Sequence, residues 1–167
     1  RDAQESRGLG DVYKRQLYID PDTLILNPIS ELYNMELGGF CFAGASHTHG
    51  VVEDINHLRL NMPEDSRYIN AGVLMMNLDE LRRSYTSKEL FDYIDKNADN
   101  LPLGDQDVIN ALYCTKTRYI SPEIYNLDEK TALHSLKTHE WIEKNCSIVH
   151  YLSLIHISEP TRLLSIS

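Results

Sequence analysis

Three features are scarce or missing in this chain of 167 residues, and each excludes a class of protein. The three cysteines are an odd number and show no CxxC spacing, so neither a disulfide framework nor a cysteine zinc site is expected. No apolar run approaches the roughly 20 residues that a transmembrane helix needs. Basic residues number 16 against 25 acidic ones, a formal net charge of −9. Nonspecific binding to nucleic acid or to an anionic membrane is therefore not expected.

The two ends of the chain are related to each other through the genetic code. Residues 1–16 and 152–167 can be encoded by mutually reverse-complementary DNA; for example, CAG for Gln16 faces CTG for Leu152. Such a match over both entire ends does not arise by accident, and its inner part looks like translated sequencing adapter. We therefore interpret residues 1–16 and 152–167 as artefactual tails without evolved partners in a core. The authentic part, residues 17–151, has 11 basic and 21 acidic residues.

The most informative stretch, residues 17–26, reads Leu-Tyr-Ile-Asp-Pro-Asp-Thr-Leu-Ile-Leu. Apolar residues on both sides of the carboxylate pair predict buried strands. Pro21 should end the first strand, because it lacks a backbone donor and fixes φ. Asp20 and Asp22 would then offer oxygen ligands to a hard divalent cation that carries a phosphate-containing substrate. A solvated Asp-Pro-Asp turn is the alternative, and this motif alone does not decide between them.

Three further segments follow in order along the chain. The first is a polar elbow, Asn70-Ala71-Gly72, before an apolar strand at 73–77. The second is Asp105-Gln106, which follows a glycine and opens a helix, and the third is a short strand that ends at His150. Together with the Asp-Pro-Asp motif, this ordered set resembles glycosyltransferase family 8, the retaining nucleotide-sugar transferases. The resemblance covers residues 17–151 almost continuously.

The alternation of strand-like and helix-like segments predicts an α/β domain, and the resemblance implies the GT-A type, a Rossmann-like nucleotide-diphospho-sugar transferase fold. A short turn or helix is expected at 31–35, helices are expected from 78 onwards and at 87–96, 107–113 and 139–144, and a loop is expected over 54–65. We expect the domain to be truncated at both ends. The family's nucleobase-binding first strand and its Gly…Lys-Pro-Trp segment have no counterpart in residues 17–151.

The resemblance also implies a divalent metal held by Asp20, Asp22 and His150. Two carboxylates with one imidazole suit manganese better than calcium, which prefers oxygen ligands alone. A second metal site at His47 and His49 is less favoured, since exposed loop histidines without a third ligand are usually only polar. His150 taken by itself would more often be a capping or core histidine.

The donor-binding residues implied by the resemblance are Asp20, Asp22, Asn70, Ala71, Gly72, Asp105 and Gln106. Among them, Asn70 and Asp105 would bind sugar hydroxyls, while Ala71 and Gly72 would let the backbone approach closely. Gln106 would lie beneath the anomeric carbon and stabilise an oxocarbenium-like state, because an amide is a poor nucleophile. Asp105 and Gln106 are thus the predicted catalytic pair. The alternatives are an N-cap for Asp105 and a solvated helix face for Asp107.

The resemblance implies a retaining, metal-dependent enzyme that moves glucose or galactose from a UDP-sugar to a saccharide or glycolipid acceptor, as in bacterial lipopolysaccharide biosynthesis. We expect a cytoplasmic protein, with a membrane-peripheral location as the alternative, and no activity from this fragment alone. A haloacid-dehalogenase-like phosphatase is one rival, but it requires Thr or Val where this chain has Leu24, with Thr23 one place early. A non-catalytic fragment is the other rival.

Overall fold

The computed structural model describes residues 14–46 and 50–151, in which strands alternate with helices as predicted for an α/β domain. The strands are β1 (Arg15–Ile19), β2 (Thr23–Ile25), β3 (Phe42–Ser46), β4 (Ile69–Asn77), β5 (Thr117–Tyr119) and β6 (Ile148–His150). The helices are α1 (Ser30–Asn34), α2 (Val51–Leu60), α3 (Leu78–Ser84), α4 (Ser87–Asn97), α5 (Asp105–Tyr113), α6 (Pro122–Tyr125), α7 (Glu129–His134) and α8 (His139–Asn145), with 3₁₀ turns at Ala98–Asn100 and Cys114–Lys116. Within the described ranges, no helix combines the length and apolarity that crossing a bilayer requires.

The strands form two sheets that the Asp-Pro-Asp turn connects. The larger sheet has the order β1-β4-β3-β5, in which β4 is antiparallel to both of its neighbours and β5 is parallel to β3. The smaller sheet pairs β2 with β6 antiparallel. Because the turn at Pro21 separates β1 from β2, the chain leaves the larger sheet and enters the smaller one within three residues.

Strand β4 is the central element of the larger sheet, and its pairing with β3 is irregular. Gly44 pairs with Leu74 but the next residue, Ala45, pairs with Asn70, so residues 71–73 bulge out of the ladder. Bulges are common beside active sites, where they redirect side chains. Strand β4 begins at Ile69 and so contains the polar elbow, whereas the sequence predicted a strand only at 73–77.

Apolar side chains fill both faces of the larger sheet. On one face, Val73 and Met75 pack with Leu32 of α1 and Ile148 of β6. On the other face, Leu74 packs with Phe42 and Tyr113, the last from α5. Burial on both faces explains why residues 73–76 form a continuous apolar run rather than an alternating one.

Helix α2 replaces the loop that the sequence predicted at 54–65. Its apolar residues Val51, Ile55 and Leu58 face solvent and are 72%, 57% and 87% exposed, while the polar Asn56 is buried. The signal was present in the sequence, because Val51, Ile55 and Leu58 recur at i, i+4 and i+7, the spacing of one helix face. Helix α7 was also not predicted.

The predicted tails fall largely outside the described residues, as do His47 and His49. Arg15 and Gln16 are described, and they form the first two positions of β1 opposite Asn77 and Met76. The assignment of residues 1–16 and 152–167 as artefactual tails and the second metal site remain predictions.

A buried ion pair joins α2 to α5. The carboxylate of Asp107 is fully buried and accepts hydrogen bonds from Nη1 and Nη2 of Arg59 (2.8 and 2.7 Å). It also accepts hydrogen bonds from the Tyr68 hydroxyl (2.6 Å) and from the Leu103 backbone N–H (2.8 Å). Burial by itself would raise the pKa of Asp107, but the hydrogen bonds from Arg59, Tyr68 and the backbone outweigh it and lower that pKa. The solvated helix face considered for Asp107 is therefore wrong.

We expect Asp107→Asn to lower the free energy of unfolding by about 3 kcal/mol or more, since it leaves the Arg59 cation without its counter-charge. Urea unfolding at pH 7 measures this. Asp92→Asn, which breaks the exposed pair with Lys88, is the matched control and should cost less than about 1 kcal/mol.

The loss of unfolding free energy in Asp107→Asn should also depend on pH. Because the folded-state pKa of Asp107 lies below the unfolded value of about 3.9, its contribution is present above that pH and is lost as the pH falls through the folded pKa. The two variants should differ less in acid than at pH 7. Equal losses for Asp107→Asn and Asp92→Asn at pH 7 would contradict this account of the ion pair.

Candidate metal and donor site

The Asp-Pro-Asp turn places its two aspartates beside different sheets. The N–H of Asp20 donates to the carbonyl of Gly72 at 2.8 Å, which extends the β1–β4 pairing by one residue. In the smaller sheet, Thr23 lies opposite His150, so the preceding Asp22 reaches the end of β6. The last residue of β6 and the two aspartates therefore meet where the sheets join.

The side chains of Asp20, Asp22 and His150 converge there, as predicted from the sequence. Their ligand atoms all lie within 4.8 Å of one another. The His150 Nε2 atom is 3.2 Å from an Asp22 carboxylate oxygen and 3.6 Å from an Asp20 carboxylate oxygen. His150 is buried, whereas the carboxylates are 31% and 38% exposed, so the group opens to solvent on the carboxylate side. Two carboxylates and one imidazole fit a divalent transition metal such as Mn²⁺.

Tyr18 orients one of these carboxylates, which sequence reasoning missed. Its hydroxyl donates to Asp20 Oδ1 at 2.6 Å, while Asp20 Oδ2 is the oxygen nearer His150. This hydrogen bond is the main cause that raises the pKa of Tyr18, so the phenol stays protonated as a donor. The available signal was spacing, because residues two apart on a strand share a face.

Gly72 leaves the space that His150 occupies. A Cβ atom at position 72 would lie 2.0 Å from the His150 Cε1 atom, 2.7 Å from His150 Nδ1 and 2.8 Å from Asp20 Oδ2. These distances are far below van der Waals contact, and the His150 ring is buried on β6. The close approach predicted at this glycine therefore involves the imidazole of the metal site.

A cleft of about 250 Å³ joins the metal group to the predicted catalytic pair. It is lined by Tyr18, Asp20, Ala71, Gly72, Leu103, Asp105 and Gln106. A larger cavity of about 830 Å³ lies between α2 and residues 61–67, and none of the predicted site residues lines it. We assign the functional site to the smaller cleft, because five of the predicted donor residues line it, among them Asp20 of the metal group.

The polar elbow and Gln106 form one hydrogen-bonded group. Gln106 Oε1 accepts the Ala71 N–H (2.9 Å) and a hydrogen of the Asn70 amide (3.2 Å), and its Nε2 donates to the Tyr68 hydroxyl (3.0 Å). Asn70 Oδ1 accepts the N–H of Gly72 at 2.9 Å. Asn70 is thus bonded within the protein and does not line the cleft, while its role toward a donor sugar remains a prediction.

Asp105 is the first residue of α5 and its side chain is exposed at the cleft. Its carboxylate accepts the backbone N–H of Gln106 at 2.9 Å. The N-cap is Gly104, whose φ of 57° lies in the left-handed region that glycine adopts readily. The N-cap alternative for Asp105 is therefore wrong.

Comparison with known proteins identifies the family to which this arrangement belongs. The profile described as glycosyl transferase family 8 matches residues 9–155. This chain belongs to glycosyltransferase family 8. The match leaves the haloacid-dehalogenase-like alternative without support, and it extends beyond residues 17–151 at both ends.

One sequence relative and two solved structures illustrate what this chain is similar to. General stress protein A of Bacillus subtilis is 27% identical over 151 residues, which cover 83% of this chain and 50% of that protein. The solved galactosyltransferase LgtC, in complex with donor and acceptor sugar analogs, superposes with a TM-score of 0.70 at 20% identity. The glycosyltransferase GlyE of Streptococcus pneumoniae superposes with a TM-score of 0.62 at 21% identity. These structures confirm the predicted GT-A fold.

The compared regions are only parts of the relatives. The superposition with LgtC covers 90% of this chain and 58% of the LgtC chain, and that with GlyE covers 89% and 36%. The family member described here thus spans about half the length of general stress protein A and of LgtC.

We expect Gly72→Ala to displace the His150 ring, because a methyl group would overlap Cε1. It should lower the free energy of unfolding by about 1–3 kcal/mol, as overpacking does, and it should weaken Mn²⁺ binding measured by titration. Gly39→Ala is the control, since a Cβ there meets no atom within 4 Å. Unchanged Mn²⁺ affinity in Gly72→Ala would contradict the proposed packing.

Proposed function

We propose that this protein is a retaining, metal-dependent hexosyltransferase that moves glucose or galactose from a UDP-sugar to a saccharide or glycolipid acceptor. The observation that carries the proposal is the convergence of Asp20, Asp22 and His150 beside a cleft walled by Asp105 and Gln106. Family membership supports the transferase class. The structural neighbour LgtC is a galactosyltransferase, which supports galactose as one candidate donor sugar.

The donor set supports a divalent metal, with Mn²⁺ as the proposed ion. Asp20 and Asp22 supply hard oxygen ligands and His150 supplies a nitrogen ligand through Nε2. When bound, such an ion neutralises the charge that develops on a departing nucleoside diphosphate. An acidic cleft of this kind would otherwise repel a diphosphate, because Asp20 and Asp105 both line it.

The remaining residues would act on the sugar. Asp105 presents an exposed carboxylate that can accept hydrogen bonds from sugar hydroxyls. Gln106 is held by three hydrogen bonds, to Ala71, Asn70 and Tyr68, so its position is fixed before a donor binds. The oxygen end of its amide dipole would stabilise a positive charge that develops at the anomeric carbon.

In the full-length parent protein we expect Mn²⁺-dependent release of UDP from UDP-glucose or UDP-galactose. Asp22→Asn should reduce this rate by about 100-fold or more, since Lewis-acid stabilisation is worth several kcal/mol and each 1.36 kcal/mol is tenfold. Asp99→Asn, at an exposed acid outside the cleft, is the matched control and should leave the rate unchanged. Phosphate release from a generic phosphomonoester, without turnover of a UDP-sugar, would overturn the proposal.

A second expectation separates the role of Gln106 from that of the metal ligands. Gln106→Ala should lower turnover by about 100-fold, comparable to the loss of one stabilising group in a preorganised site. The affinities for UDP and for Mn²⁺ should change little, because Gln106 does not contact the three metal ligands. Calorimetric UDP titration and turnover assays of the same preparation measure both. A loss of UDP affinity as large as the loss of turnover would contradict this role.

A further inference from the structure

The imidazole of His150 has a partner on the side away from the carboxylates. His150 is 2% exposed, and its Nδ1 atom lies 2.8 Å from Oδ1 of the fully buried Asn126. A neutral imidazole carries a proton on one ring nitrogen and a lone pair on the other. The proton position therefore decides whether Nε2 can serve as a ligand beside Asp20 and Asp22.

The direction of the hydrogen bond between His150 and Asn126 follows from the backbone N–H of Gly72, because an N–H group can only donate. The Gly72 N–H donates to Asn70 Oδ1 at 2.9 Å, and this fixes the oxygen side of the Asn70 amide. Asn126 Nδ2 lies 3.0 Å from the same oxygen and must be the donor in that contact. The remaining Asn126 atom, Oδ1, is then the acceptor that faces His150. The proton between them must lie on Nδ1 of the imidazole.

The backbone N–H of Ala71 independently fixes the same orientation of the Asn70 side chain. The Ala71 N–H donates to Gln106 Oε1 at 2.9 Å, so this oxygen is an acceptor. Asn70 Nδ2 lies 3.2 Å from that oxygen and must donate to it, which again places Oδ1 of Asn70 toward Gly72 and Asn126. Both backbone donors therefore require the same orientation of the Asn70 amide.

We propose that Asn126 is a positioning residue of the metal site. It holds the His150 proton on Nδ1 and directs the Nε2 lone pair toward Asp20 and Asp22. The Asn126 side chain is buried and satisfied by His150 and Asn70, so it acts through the imidazole. The Asn70-Ala71-Gly72 segment thereby sets the geometry of the metal ligand as well as that of the cleft. This inference rests on the proposed metal site.

Two variants of the chain separate the acceptor role of Asn126 from its packing. Asn126→Leu keeps a γ-branched shape but removes both hydrogen bonds, whereas Asn126→Asp keeps an acceptor for Nδ1–H, replaces the donor to Asn70 with a second carboxylate oxygen and adds a negative charge. The Mn²⁺ dissociation constant is measured from the electron paramagnetic resonance signal of free Mn²⁺. We expect Asn126→Leu to weaken binding by about 10–100-fold, as is typical when the partner of a ligating histidine is lost. Asn126→Asp should stay within a few-fold of the unmodified chain.

The control for general destabilisation is Asn56→Leu. Asn56 is also a buried asparagine, but it bonds Arg59 on α2 and has no contact with the metal group. This variant should bind Mn²⁺ as tightly as the unmodified chain. Circular dichroism and thermal unfolding show whether each variant folds.

A spectroscopic readout tests the proton position directly. In a chain labelled with ¹⁵N-histidine and loaded with diamagnetic Zn²⁺, the Nδ1–H of His150 should give a protected resonance in the unmodified protein and in Asn126→Asp. It should exchange rapidly with solvent or disappear in Asn126→Leu. Mn²⁺ affinity and Nδ1–H protection that are both unchanged in Asn126→Leu would overturn the inference.

Further outcomes separate a failure of the metal site from a failure of the role assigned to Asn126. If Asn126→Leu does not fold, Asn126→Asp is decisive, and a tenfold or greater loss of Mn²⁺ affinity in that variant overturns the acceptor role. If the unmodified chain binds no Mn²⁺, the proposed metal site and this inference fail together. Mn²⁺ affinity and Nδ1–H protection that are both unchanged in Asn126→Leu overturn this inference alone and leave the proposed function standing.

Discussion

Gly72 uses its backbone N–H, its backbone C=O and its missing side chain, and each holds a different part of the site. The N–H binds Asn70, the C=O binds the backbone of Asp20, and the empty side-chain position receives the ring of His150. Strand β4 and strand β6 belong to different sheets, so this one residue joins them. The bulge in β4 makes this possible, because it releases residues 71–73 from pairing with β3.

The polar contacts that begin at Gly72 extend to the buried ion pair of Asp107 and Arg59. Gln106 reaches the Tyr68 hydroxyl, which donates to Asp107, and Asp107 is paired with Arg59. A charged pair buried in this way holds its partners in one geometry, since each lost bond leaves a buried polar group unsatisfied. Helix α2 contributes Arg59 to this arrangement, although its apolar face is turned to solvent. The cleft residues of β4 and α5 are therefore held by packed secondary-structure elements.

Local patterns predicted most strands and several helices, because buried strands read as apolar runs and α4 carries a clear amphipathic stripe. Helix α2 was predicted as part of a loop, although its Val51, Ile55 and Leu58 recur at helical spacing; in the structure these side chains face solvent. Local patterns missed the supporting residues of the site. Asn126 and Tyr68 look like ordinary polar and aromatic positions in the sequence, and their roles arise from contacts with residues 24 and 39 positions away.

The sequence by itself determined the kinds of ligand, the order of the motifs and, through them, the family and the fold. Those properties are carried by residue type and spacing along the chain. Only the tertiary structure decided that Asp107 is buried against Arg59 and which nitrogen of His150 faces the carboxylates. The reason is physical: the ion pair depends on how helices α2 and α5 pack, and the orientation of His150 depends on hydrogen bonds whose direction a backbone amide fixes. Local sequence patterns specify neither.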